Sequence, residues 1–199
     1  VATLADSLNA ELVRVSDILG GVRERPNRHA WKACEVQASV GSNPTPSAMV
    51  SAVELDAMEI AFRLASEAAV AGEVPVGAVV LRDGQVIAQR RNEREQSNDP
   101  TAHAEVLALR DAAQVVGSWN LSGCTLVVTL EPCPMCAGAI LNSRVSRLVF
   151  GAADPKAGST GTLYNLMSDP RLNHEVDIVH GCRAAESREL LTRFFADKR

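Results

Sequence analysis

The pattern of apolar and polar positions divides this 199-residue chain into two unlike parts. In the first, Leu4, Leu8, Leu12, Val15 and Leu19 recur at helical spacing. The stretch from Gly20 to Ser51 then has no clear period and closes on SVGSNPTPSAM, rich in Ser, Pro, Gly and Asn. From Ser51 onward the pattern is orderly. SAVELDAMEIAFRLASEAAVAG predicts an amphipathic helix closed by Gly72. VPVGAVVLRDGQVIAQRRN holds two apolar runs about Asp83-Gly84, a hairpin signal. A polar loop over residues 91–100 leads to a second helix from Thr101 to Val116. CTLVVTL, residues 124–130, has the β-rich, nearly unbroken apolar character of a buried central strand. PMCAGAILNS predicts a helix and RVSRLVFGA a strand. A loop over 153–162 follows, then a short helix at 163–168, a strand within EVDIVHG and a closing helix over 183–199.

Helices alternating with mostly buried strands imply an α/β fold of three layers, with a central mixed sheet of about five strands flanked by helices. The domain is expected over residues 51–199. Residues 1–50 read as an N-terminal extension, a helix and then a disordered linker, with a stretch from Met49 that looks like a natural chain start. The extension carries five basic and five acidic residues, so it is no nucleic-acid arm.

Composition narrows the function classes. Only 4% of residues are aromatic, so Ala, Val, Ile and Leu must build the core. The net charge of −4 argues against extensive phosphate binding and leaves room for a local basic patch. No apolar run approaches the roughly 18–20 residues of a membrane span. No segment has the order of a signal peptide, so the expected location is cytoplasmic. Five cysteines, an odd number, do not suggest a disulfide framework.

The candidate chemistry sits in TLEPCPMCAGAI, residues 129–140. Pro132 suits a first helical position, and Cys133 and Cys136 are then one turn apart on one face. The positive end of the helix dipole favours thiolates there. C-x-x-C alone fits a redox pair, half of a structural zinc site or half of a catalytic one. A structural site needs four protein ligands, and Cys34, Cys124 and Cys182 offer no second pair at short spacing. Three ligands and a water make the catalytic arrangement, with His103, at another helix start, as the third ligand. Two thiolates and a neutral imidazole balance a zinc dication. Glu105 is the candidate proton carrier beside it, with a carboxyl raised by burial. On an ideal helix two positions apart differ by about 200° in direction, so spacing alone does not aim both His103 and Glu105 at one centre. His174 and His180 flank a strand with no ligand spacing and read as packing or surface residues. Cys124 and Cys182 read as small buried apolar residues. The charges of the last helix, Arg183, Arg188, Arg193, Lys198 and Arg199 against Glu186, Glu189 and Asp197, read as a solvated face.

His103-Ala-Glu105 followed by Pro132-Cys133-Pro-Met-Cys136 resembles the H-x-E and P-C-x-x-C signature of zinc-dependent nucleobase deaminases. With EVPVGAVV, NDPTAHAEVLALR, RLVFGAADPKAGSTGTL and LNHEVDIVHG, residues 52–197 resemble the bacterial tRNA-specific adenosine deaminases; residues 1–50 do not. The resemblance implies a cytidine-deaminase-like fold, a homodimer and one Zn2+ per subunit. It implies hydrolytic conversion of adenosine to inosine at the wobble position of an arginine tRNA anticodon. His103, Cys133 and Cys136 are then the metal ligands, and Glu105 carries a proton to N1 of adenine as C6 is attacked. Asn92 is implied to hold the target base, and Lys156 and Gly158 to lie near the substrate. Two other functions remain open: a deaminase of free nucleobases or nucleotides, guanine or cytosine, and a zinc-stabilised RNA-binding scaffold without chemistry.

Overall fold

The computed structural model describes residues 49–196. The expected N-terminal helix, and most of the expected linker, lie outside the described residues, as do the last three residues of the closing helix.

Helix α1 (Ala52–Val70) begins with a full capping box: the Ser51 hydroxyl accepts from the Glu54 backbone N–H, and the Glu54 carboxylate accepts from that of Ser51. Strands β1 (Gly77–Arg82) and β2 (Gln85–Arg91) form the predicted hairpin. Asp83 and Gly84 both take positive φ, 51° and 76°, as a turn matching the strand twist requires. A short helix, α2 (Arg94–Ser97), occupies the segment expected to be a plain polar loop. Next come α3 (Ala104–Val116), β3 (Cys124–Leu130), α4 (Pro134–Asn142), β4 (Arg147–Ala152), β5 (Asp177–His180) and α5 (Ala184–Ala196).

The five strands lie in the order β2-β1-β3-β4-β5. β1 pairs antiparallel with β2 and β3, whereas β3, β4 and β5 run parallel. The sheet is therefore mixed, as its apolar runs predicted. Alternate strand residues feed two separate cores. Ala78, Val80, Leu126, Val128, Leu148 and Phe150 pack with Ala104, Ala108 and Ala112 of α3 and Ile140 of α4. Val79, Leu81, Val127, Val149 and Val179 pack with Ala57, Met58 and Ala61 of α1. That places α1 and α5 on one face and α3 and α4 on the other, which makes three layers. A strand with both faces covered has no polar side to alternate, hence its continuous apolar sequence.

Small residues set the layer spacing. A Cβ on Gly77 would come within 2.1 Å of the Ala61 carbonyl oxygen, and one on Gly151 within 2.3 Å of that of Thr129. Ser187 of α5 donates its hydroxyl to the same Thr129 carbonyl, locking α5 to the sheet.

The structure corrects the sequence reading at two helix starts and one expected helix. α3 starts at Ala104, not Thr101, because Asp99 accepts from the backbone N–H and hydroxyl of Thr101 and holds it in a turn. α4 starts at Pro134, so Pro134 rather than Pro132 takes the first helical position, and Cys133 is the N-cap. The short helix expected at 163–168 is absent: turns and an isolated bridge between Thr160 and Asn165 run there instead.

Candidate active site

The parallel half of the sheet delivers the site. β3 ends at Leu130, and the chain passes through Glu131 and Pro132 to Cys133 at the mouth of α4. On the same face α3 begins just after His103. His103 and Cys133 are both N-caps with extended backbones, ψ 148° and 173°. Two helix starts thus converge, each with its positive dipole end toward the site.

The three expected ligand residues meet. Cys133 Sγ lies 3.6 Å from Cys136 Sγ and 3.8 Å from His103 Nδ1, and Cys136 Sγ lies 3.5 Å from that nitrogen. In tetrahedral zinc, with Zn–S about 2.3 Å and Zn–N about 2.1 Å, ligand atoms stand roughly 3.6–3.8 Å apart. The triangle's edges, 3.5–3.8 Å, lie close to those values, and among the described residues it is the only such group. Hydrogen bonds from Cys136, then from His103, pull the Cys133 thiol down to about 4, against the effect of burial. The Cys136 thiol is pushed up, by its bond to Cys133 first and by burial second. The contact between the two sulfurs thus favours a thiolate in the pair, and a dication at the centre would favour the ionised form of both. His103 is raised, chiefly by its contact with Cys133.

Glu105, the second residue of α3, is 4% exposed. Burial raises its carboxyl, and it lies near enough to His103, Cys133 and Cys136 to interact with them electrostatically. The 200° difficulty disappears because His103 is not in the helix. Its backbone is extended while that of Glu105 is helical, so the ideal-helix angle does not apply to the pair, and the imidazole meets both cysteines.

Asn92 follows the last residue of β2 and is 5% exposed. The Glu93 N–H donates to the Ala102 carbonyl, 3.0 Å, which brings this strand end beside His103. Asn92 Nδ2 donates to Glu73 Oε2 at 3.0 Å, and the other oxygen of Glu73 accepts from the Gln96 N–H at 2.6 Å. A carboxylate only accepts, so Glu73 fixes which way the Asn92 amide faces. Lys156 lies outside the cysteine cluster, exposed, with its ammonium 5.8 Å from the Phe195 ring centroid. It borders a cavity of about 740 Å³ with Val74, Leu130, Asp154 and Phe195.

Two buried acids were not legible as functional. Glu73 and Glu131 are each 1% exposed. Glu131 Oε1 accepts from the Thr160 N–H and hydroxyl and from the Thr162 N–H, at 3.0–3.1 Å. Its Oε2 accepts from the Asp154 N–H at 2.9 Å and from the Thr162 hydroxyl. Burial works to raise this carboxyl, but these hydrogen bonds outweigh it and hold it below the usual range. Glu105 and Glu131 thus sit in opposite environments, one that raises its carboxyl and one that lowers it. The only sequence signal for either missed acid was a charge inside an otherwise apolar stretch.

The other minor candidates resolve as packing groups. His174 Nε2 lies 2.7 Å from the Val145 carbonyl, and His180 packs 6.3 Å from the Phe150 ring. Cys124 and Cys182 are buried. Arg183 and Arg193 pair with Glu186 and Glu189 along α5.

Comparison with known proteins agrees with this arrangement. Residues 53–199 match the MafB19-like deaminase family. The tRNA-specific adenosine deaminase of Bacillus subtilis is 47% identical over 142 residues, covering 71% of this chain and 88% of that protein. That of Haemophilus influenzae is 45% identical, covering 71% and 83%. Among solved structures, one from a study of A-to-I editing by tRNA:A34 deaminases at the wobble position is 43% identical with a TM-score of 0.67, covering 68% of this chain and 99% of that one. A guanine deaminase from Nitrosomonas europaea is 25% identical with a TM-score of 0.65, covering 77% and 94%. By sequence, fold and the residues at its helix starts, the chain belongs to the family of tRNA-specific adenosine deaminases.

Proposed function

We propose that this protein converts adenosine to inosine by hydrolytic deamination at the wobble position of a tRNA anticodon, an arginine tRNA, with one zinc ion per subunit. The observation that carries the chemistry is the triangle of His103, Cys133 and Cys136 with the buried Glu105 against it. Relatives named for the same activity, 45% and 47% identical across most of their length, support the substrate.

His103 Nδ1 and the sulfurs of Cys133 and Cys136 would hold the zinc and leave one tetrahedral position open. Zinc so held supplies Lewis acidity that makes water a nucleophile near neutral pH. Glu105 does the proton work. Its carboxylate takes a proton from the water and passes it to N1 of adenine as the oxygen adds to C6; it then takes the second proton, from the hydroxyl now on C6, and hands it to the amine, so that the C6–N bond breaks, ammonia leaves and C6 becomes a carbonyl. Asn92, its amide fixed by Glu73, holds the base. Lys156, on the wall of the neighbouring cavity, lies along the path of the RNA. The wobble base is in a single-stranded loop, so turning it into a pocket costs little. The family resemblance supports a homodimer acting in the cytoplasm.

The test is a substrate panel: tRNA, adenosine, guanine and cytosine incubated with the zinc-loaded protein, followed by digestion and mass spectrometry. Inosine at the wobble position of tRNA is expected. Turnover of a free base with tRNA untouched would reassign the protein to the free-nucleobase deaminases. Tight RNA binding without any turnover would leave a scaffold.

A further inference from the structure

Glu131 lies between the strand and the metal-binding helix, yet none of the chemistry above uses it. Its side chain is enclosed, and five donors point at its two oxygens, all from Asp154, Thr160 and Thr162. A carboxylate offers about four lone-pair sites, so this one is saturated and has no capacity to relay protons. The loop closes on it tightly: a Cβ on Gly158 would stand 2.3 Å from Glu131 Oε2 and 2.6 Å from the Asp154 carbonyl oxygen. One further bond, from the Ser159 N–H to the Pro132 carbonyl at 3.0 Å, ties the same loop to the residue before Cys133. The loop's outer side carries Asp154, Pro155 and Lys156, which form a wall of the 740 Å³ cavity that also meets Leu130, three residues before Cys133.

We propose that Glu131 is a positioning residue for deamination: its carboxylate clamps the 153–162 loop to the chain segment that carries Cys133, and so fixes the substrate-facing wall of Asp154 and Lys156 relative to the metal ligands. The clamp couples two parts of the site that are separated in sequence. Without it, the ligand triangle persists while the wall loses its register. This inference rests on the functional reading above. It assigns Glu131 to substrate placement rather than to the proton path.

Glu131→Gln is the sharpest test. It keeps one oxygen for the three donors on Oε1 but turns the other position into an NH2 group facing the Asp154 N–H, so one donor meets another. Gly158→Ala pushes the loop off the carboxylate without touching the charge. With full-length zinc-loaded protein and a tRNA bearing adenosine at the wobble position, both variants should keep one zinc per chain. KM should rise about tenfold or more while kcat stays within about threefold, because a misplaced wall removes binding and leaves the reacting groups in place. Both should also become open to trypsin at Lys156 in the folded state, a readout independent of turnover. Unchanged KM and unchanged cleavage would overturn the proposal, as would a fall in kcat alone. Should Glu131→Gln lose its zinc or its fold, Gly158→Ala decides on the same measures. Wild-type protein that makes no inosine in tRNA sinks the functional reading instead, and trypsin sensitivity still reports on the clamp.

Discussion

At the scale of the residue, the environment of each acid decides its use. Glu105, Glu131 and Glu73 are all buried glutamates, each with different surroundings. Glu105 is buried, and burial raises its carboxyl. Glu131 faces a ring of N–H and O–H donors and stays ionised. Glu105→Ala should therefore retain zinc while turnover drops by about 10²–10⁴, the usual contribution of a general acid–base. A metal assay beside the inosine assay separates the two effects, and loss of zinc would show that Glu105 supports the ligands instead. Removing Cys136 should do the opposite: Cys136→Ala should abolish stoichiometric zinc, since two ligands cannot hold a structured site. Neither Glu73 nor Glu131 was readable as part of the site, because their partners lie 19 to 31 residues away. No local spacing encodes that.

At the scale of the element, the period of the apolar pattern placed the strands well and the helix starts less well. β3 reads as a buried strand from its sequence and is one, since both faces meet helices. α3 and α4 each begin later than their sequences suggest, and those shifts turn His103 and Cys133 into N-caps. The 163–168 segment is held in turns because Thr160 and Thr162 bond to Glu131 rather than to a helix of their own. Close approach of α1 to β1 predicts that Gly77→Ala destabilises the fold by about 1–3 kcal/mol, because its methyl group has only the Ala61 backbone to meet. Urea denaturation measures it. The start of α1 also carries a pH-dependent contact. Burial opposes ionisation of Glu54, but Arg147, 2.6 Å away, and the Ser51 cap lower its carboxyl below its ordinary value. A depressed folded value means that the contribution is complete above the unfolded carboxylate range and is lost as the pH falls through the folded value. The stability gap between the protein and Glu54→Gln should hold at pH 7, shrink below about pH 4.5 and close in stronger acid.

At the scale of the whole molecule, the candidate site and a five-stranded sheet with its two cores are built from the described residues, 49–196, and the family match spans 53–199. Deletion of residues 1–48 should therefore leave kcat and KM on tRNA unchanged, and a dead truncation would assign that segment a part in folding or RNA binding. Among the described residues no helix is long and apolar enough to cross a membrane.

The sequence by itself determined the layer architecture, because apolar period follows from burial and burial needs no knowledge of partners. It also singled out His103, Cys133 and Cys136 as candidate ligands, since C-x-x-C and H-x-E are local spacings, and the fold brings these three together. Tertiary structure alone decided three things. The 3.5–3.8 Å triangle depends on two helix starts meeting at one end of a sheet. The shared aim of His103 and Glu105 depends on a backbone that is extended at one and helical at the other. The hydrogen-bond partners of Glu73 and Glu131 are donors brought from segments 19 to 31 residues away, and a buried charge takes its properties from whichever groups the fold places around it.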